Sequence, residues 1–69
     1  MIEVFKTNVS NPQQAEELIG LLRNLLPGSS VNFDLEDCDR VLRIDYESVD
    51  PAHITGILAG RGFECCVMQ

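Results

Sequence analysis

The residues of this chain that could do chemistry are few: three cysteines, one histidine and a knot of carboxylates. Cys65 and Cys66 adjoin in "GFECCVM", Cys38 sits inside the acidic run "DLEDCD", and His53 follows Asp50-Pro51. Thiolates and imidazoles together hold soft metals, and paired thiols carry redox chemistry. Spacing argues against both within one chain. Successive strand residues point to opposite faces, so two adjacent strand cysteines cannot share an ion. There is no Cys-x-x-Cys, no Ser-His-Asp arrangement and no Gly-rich phosphate loop, so no catalytic residue, cofactor or enzymatic activity is assigned. The acids from Asp34 to Asp39 read as a solvated turn, because a calcium loop needs longer, glycine-bearing spacing.

Those residues must be positioned by one small domain spanning 1–69, with 45% apolar residues and a marginal core. No apolar run approaches a membrane span, and MIEVFKT has none of the regions of a signal peptide. An odd number of cysteines fits free thiols in a reducing cytoplasm. The net charge of −6 disfavours nucleic acid and anionic membrane surfaces as partners.

Residues 2–7 suit a strand. Asn11 then offers an N-cap, Pro12 the first helical position and Gln14 a capping-box spacing. Ala15, Leu18, Ile19, Leu22, Leu25 and Leu26 form a helical stripe that Pro27-Gly28 ends. Residues 30–36 and 40–47 alternate as strands around the turn "DCD". Asp50-Pro51 repeats the cap-plus-proline start of a second, glycine-weakened helix, with Ile54, Ile57 and Leu58 as its stripe up to Gly62. Residues 63–68 form the last strand. The order β-α-β-β-α-β predicts an α+β, ferredoxin-like sandwich: a four-stranded antiparallel sheet of order 4-1-3-2, with both helices on one face. The expected core is Phe5, Leu18, Ile19, Leu22, Val31, Phe33, Leu35, Leu42, Ile44, Ile54, Leu58, Phe63, Cys65 and Val67.

The whole chain resembles the heavy-metal-associated domain, the fold of small copper chaperones and of the N-terminal domains of copper-transporting ATPases. The resemblance lies in element lengths and in "LPGSSVNFDLEDCDRVLRIDYE", "VDPAHITGILAGRGFE" and the terminal strand. It implies Cu(I) binding by a Gly-Met-x-Cys-x-x-Cys motif in the first loop. The matching stretch here is "NVSNPQQ", with Asn8 and Val9 in place of Gly and Met, and Asn11 and Gln14 in place of the cysteines. Amide oxygens do not replace soft thiolates. The remaining metal candidates are Cys38 and Cys66, shared between two copies of the chain. Within one copy they lie on opposite edge strands, roughly 14 Å apart, with His53 at the other end of the sheet.

The uncovered sheet face is then the feature to explain. With Phe5 turned inward, Ile2, Val4 and Lys6 face out. Pairing Lys6 with Glu64 would set Val4 beside Cys66 and Ile2 beside Met68. The opposite facing buries Ile2 and Val4 and exposes Phe5; the family pattern favours Phe5 inward. Ile2, Val4, Cys66 and Met68 thus form a candidate interface for a second copy or another protein. Three readings stay open: an interaction or dimerisation module that has lost its metal, a metal-handling protein with a nonstandard site, and a small-molecule sensor using the first loop.

Overall fold

The computed structural model describes residues 1–68. Its elements are β1 (Ile2–Thr7), α1 (Pro12–Leu25), β2 (Ser30–Asp34), β3 (Val41–Asp45), α2 (Pro51–Gly60) and β4 (Cys65–Val67). The four strands form one antiparallel sheet of order β2-β3-β1-β4, which is the expected order read from the other edge.

Local chemistry explains where the elements begin and end. Asn11 Oδ1 accepts hydrogen bonds from the backbone N–H groups of Gln13 and Gln14 at 2.8 and 3.4 Å, and Asp50 Oδ1 accepts from Ala52 N–H at 3.1 Å. Each carboxamide or carboxylate satisfies donors that a helix start leaves open, and a proline follows at the next position. At the end of α2, Gly62 adopts φ +87°. Its N–H reaches the Ala59 carbonyl while Phe63 N–H reaches Leu58, the paired bonds of a Schellman stop. A side chain at position 62 would be strained in that conformation.

β2 is shorter than its alternation predicts. The Asp34 carboxylate accepts from the N–H groups of Glu36 and Asp37 at 3.2 and 3.3 Å, folding the chain into a turn before Leu35 can continue the ladder. The last strand likewise begins at Cys65 rather than residue 63, after the stop at Gly62.

One core lies between the helices and one face of the sheet. It is built from Phe5, Val31, Leu42 and Ile44 of the strands and Ala15, Leu18, Leu22, Ile54 and Leu58 of the helices. All the expected core residues belong to this cluster or pack against it, with Ile19, Phe33, Leu35, Phe63, Cys65 and Val67 only partly buried. Val9 and Val49, both in connecting segments, are buried core members that periodicity does not single out. Leu25, expected on the helix stripe, is 47% exposed in the last turn of α1. No helix among the described residues is long and apolar enough to cross a membrane.

Phe5 is fully buried, which settles the facing of β1: Ile2, Val4 and Lys6 point to the uncovered side. The register with β4 differs from the expected one by two residues. Lys6 lies opposite Cys66, not Glu64, and Phe5 opposite Val67. Met68 N–H donates to the Val4 carbonyl at 2.8 Å, so Met68 stands beside Val4 and no β4 residue stands beside Ile2. The cause is Asn8. Its Oδ1 accepts from Glu64 N–H at 2.8 Å and its own N–H donates to the Glu64 carbonyl at 3.3 Å, which pins residue 64 beside residue 8. Lys6 pairs instead with Asp39, Nζ to Oδ1 at 3.5 Å.

Candidate functional site

The end of the sheet that carries the first loop also carries the β2–β3 turn and the start of β4. Thr7 organises it. Its buried hydroxyl donates to the Arg40 carbonyl at 2.6 Å and accepts from Val9 N–H at 3.2 Å, while Thr7 N–H donates to the Asp39 carbonyl at 3.0 Å. Val9 is drawn fully into the core, so the loop is anchored by an apolar side chain. Asn11 aims its oxygen at the helix start. The capping half of the expected box is therefore present.

Across the turn, Arg40 takes a left-handed backbone, φ +47°, unusual for a residue with a side chain. Its guanidinium holds it there, Nη1 donating to the carbonyls of Leu35 at 2.9 Å and Asp37 at 3.4 Å. The ligand atoms of Asp37, Cys38 and Asp39 lie within 4.8 Å of one another. Both acids already have work in the turn. Asp37 Oδ1 accepts from Asp39 N–H at 2.9 Å, and Asp39 pairs with Lys6. All three side chains are half-buried or exposed, as expected of a solvated turn. Cys65, Cys66 and His53 join no group of three or more metal-ligating side chains among the described residues. His53 is an exposed first-turn residue of α2.

The adjacent cysteines differ as their alternation requires. Cys65 packs against the core and Cys66 is exposed. Burial, and to a smaller degree the neighbouring Cys66, push the Cys65 thiol up from 9.0 to about 11. A thiol held protonated is a poor nucleophile and a poor metal ligand.

Concave surface is also found away from the first loop. An open cleft of about 530 Å³ is lined by Met1, Pro27, Ser30, Asp45, Tyr46 and Glu47. A smaller one of about 180 Å³ lies between α1 and the end of α2, at Gln14, Leu18, Arg61 and Phe63.

The uncovered sheet face collects the candidate interface. Ile2 is 59% exposed and Met68 40%, with Val4 half-buried and Cys66 exposed. Val4 has Met68 on one side and Arg43 on the other, and Ile2 lies opposite Asp45. Arg43 makes no ion pair or side-chain hydrogen bond among the described residues. The sequence pattern held that signal: in "VLRID", Val41, Arg43 and Asp45 are the outward positions that alternate with inward Leu42 and Ile44. Comparison with known proteins finds no matching family model, curated protein or solved structure.

Proposed function

We propose that this chain is a non-enzymatic protein-interaction module on a ferredoxin-like scaffold, resembling a heavy-metal-associated domain whose usual metal site is lost. One observation carries the proposal: Ile2, Val4, Cys66 and Met68 gather on a sheet face that no other described element covers. A contiguous apolar patch on such a face is better explained by association than by solvation. The occupied first loop supports the loss of metal, since Asn11 and Thr7 spend their oxygens on the chain's own backbone.

Charge favours a protein as the partner. The face carries three cations, Lys6, Arg43 and the Met1 ammonium that pairs with Asp45, and three acids, Asp34, Asp45 and the Asp39 that pairs with Lys6. The rest of the chain keeps three Lys or Arg side chains and eight acids. An acidic body repels polyanions, whereas a neutral apolar face with both signs of charge suits a protein surface.

The test is a photo-crosslinking residue placed at Val4, in cells expressing the full chain. A crosslinked protein adduct at this position, and none from a probe at Glu17 on α1, is the expected result. Labelling equal at both positions, or none at Val4, overturns the proposal.

A further inference from the structure

We infer that the occupant of the open face is a second copy of this chain, packed sheet face to sheet face about a twofold axis, with Arg43 of each copy meeting Asp45 of the other. The inference rests on the interaction reading above and names its partner.

The argument comes from register. On the open face the outward positions fall in rows across β3 and β1: Asp45 beside Ile2, then Arg43 beside Val4. An isologous contact requires that if residue i meets residue j, then j meets i. Two sheets stacked roughly 10 Å apart, each strand facing its own copy in the opposite direction, obey that rule. Centring the axis on the Arg43–Val4 row would set Arg43 against its own copy, which like charge forbids. Moving the axis half a row, to lie between the two rows, sets Arg43 against Asp45 twice and Ile2 against Val4 twice. Adjacent outward positions of opposite sign on β3, next to two apolar ones on β1, thus make the face complementary to itself.

The other charges are consistent with this arrangement. With the Met1 ammonium beside Asp45 and the Asp39 carboxylate beside Lys6, the face balances three cations against three acids, so the net charge of −6 resides mainly on the remaining surface and is screened beyond about 8 Å at physiological salt. Arg43 is exposed without an internal partner among the described residues, and Asp45, also exposed, pairs through Oδ1 with the Met1 ammonium at 3.7 Å and keeps its second oxygen for another cation. Size sets the strength. The molecule measures 27 × 25 × 21 Å, so the overlapping faces fall at the small end of specific interfaces, below roughly 800 Å² per copy. The contact is a weak, reversible dimer.

The test is sedimentation equilibrium of the full chain under reducing conditions, from about 10 μM to about 1 mM. A reversible monomer–dimer equilibrium is expected. Arg43→Asp and Asp45→Arg should each weaken it by about tenfold or more, because each turns two attractive pairs into two repulsive ones. The double substitution, compared with the starting sequence in chains both acetylated at Met1 because its ammonium lies 3.7 Å from Asp45, exchanges the charges and should restore association close to the starting value. Circular dichroism and thermal unfolding verify that all variants fold.

A monomer throughout the concentration range overturns the homodimer. So do single substitutions without effect, or a double substitution that fails to rescue. A Val4 crosslink to a different protein, combined with a monomeric chain, would sink this inference alone; the absence of any Val4 crosslink, whether to a second copy or to another protein, would sink the interaction reading itself.

Discussion

The first-loop end of the sheet and the open face of the same sheet use similar residues in opposite ways. At the loop end, polar groups are consumed internally: Thr7 bridges Val9 and Arg40, Asn11 caps α1, Asn8 holds Glu64, and Arg40 closes its own turn. Even the aliphatic residue there, Val9, is fully buried. On the open face, Val4 is half-buried, Ile2 and Met68 project from the sheet, and Arg43 has no internal partner among the described residues. A region that satisfies itself has little left with which to bind. A region that leaves apolar area and a charge unspent has that capacity.

The largest effect that could break this comparison is restoration of thiolates to the loop. The chain itself should show no tight 1:1 Cu(I) binding in a competition titration. Replacing Asn11→Cys and Gln14→Cys together should raise Cu(I) affinity by orders of magnitude, since two thiolates at the start of α1 would gain from the helix dipole. Tight binding by the unaltered chain, lost on Cys38→Ser or Cys66→Ser, would contradict the reading of a lost site.

The same substitution at two valines sharpens the contrast. Val9→Asp places a carboxylate in the core and should cost roughly 4 kcal/mol or more, enough to unfold so small a domain. Val4→Asp should leave monomer stability within about 1 kcal/mol, because the carboxylate can reach water, while abolishing association. Urea unfolding and sedimentation read the two effects separately. Equal destabilisation at both positions would mean that the face is not open.

Smaller effects follow inside the loop end. Thr7→Val removes the acceptor of a buried Val9 N–H and should cost about 1–3 kcal/mol in urea unfolding. Asn11→Ala removes one helix cap and should cost about 1 kcal/mol. If neither changes the unfolding midpoint, the loop is not held as its hydrogen bonds indicate.

These contrasts also mark what could be read from the chain. Both helix starts were legible, because Asn11-Pro12 and Asp50-Pro51 are local signals whose meaning needs no distant partner. So was the strand order, which follows from element sequence and handed crossovers. The β4 register was not. An opposite-charge pair between Lys6 and Glu64 looked favourable, but a side-chain bond from Asn8 to a residue 56 positions away fixes the ladder instead. The burial of Val9 and Val49 is not legible in the sequence, because a single valine in a connection has no periodicity to betray it. Arg43 was visible as an outward residue. Its lack of an internal partner is a property of the folded surface.

The adjacent cysteines provide the finest version of the comparison, one inward and one outward on a single strand. Cys65→Ser should cost roughly 1–3 kcal/mol unless the hydroxyl finds a hydrogen bond, and Cys66→Ser no more than about 0.5 kcal/mol in the monomer. Their titration separates them further. In the folded chain Cys65 keeps its proton until about pH 11, against 9.0 for an ordinary thiol. Below 9 the thiol is protonated in both folded and unfolded chains, and its full contribution to stability is present. As the pH rises from 9 toward 11, the unfolded chain releases the proton first, so that contribution declines and then levels off. Because the side chain is only partly buried, the decline should be shallow. Thiolate alkylation is the more sensitive measure: at pH 8 the folded protein should react at Cys66 well before Cys65, and the pH at which Cys65 reacts at half its maximal rate should lie above 9. Burial is the larger cause of that elevation and Cys66 the smaller, so Cys66→Ser should lower the value without returning it to 9. A full return would assign the elevation to the neighbouring charge and leave Cys65 as open to water as Cys66.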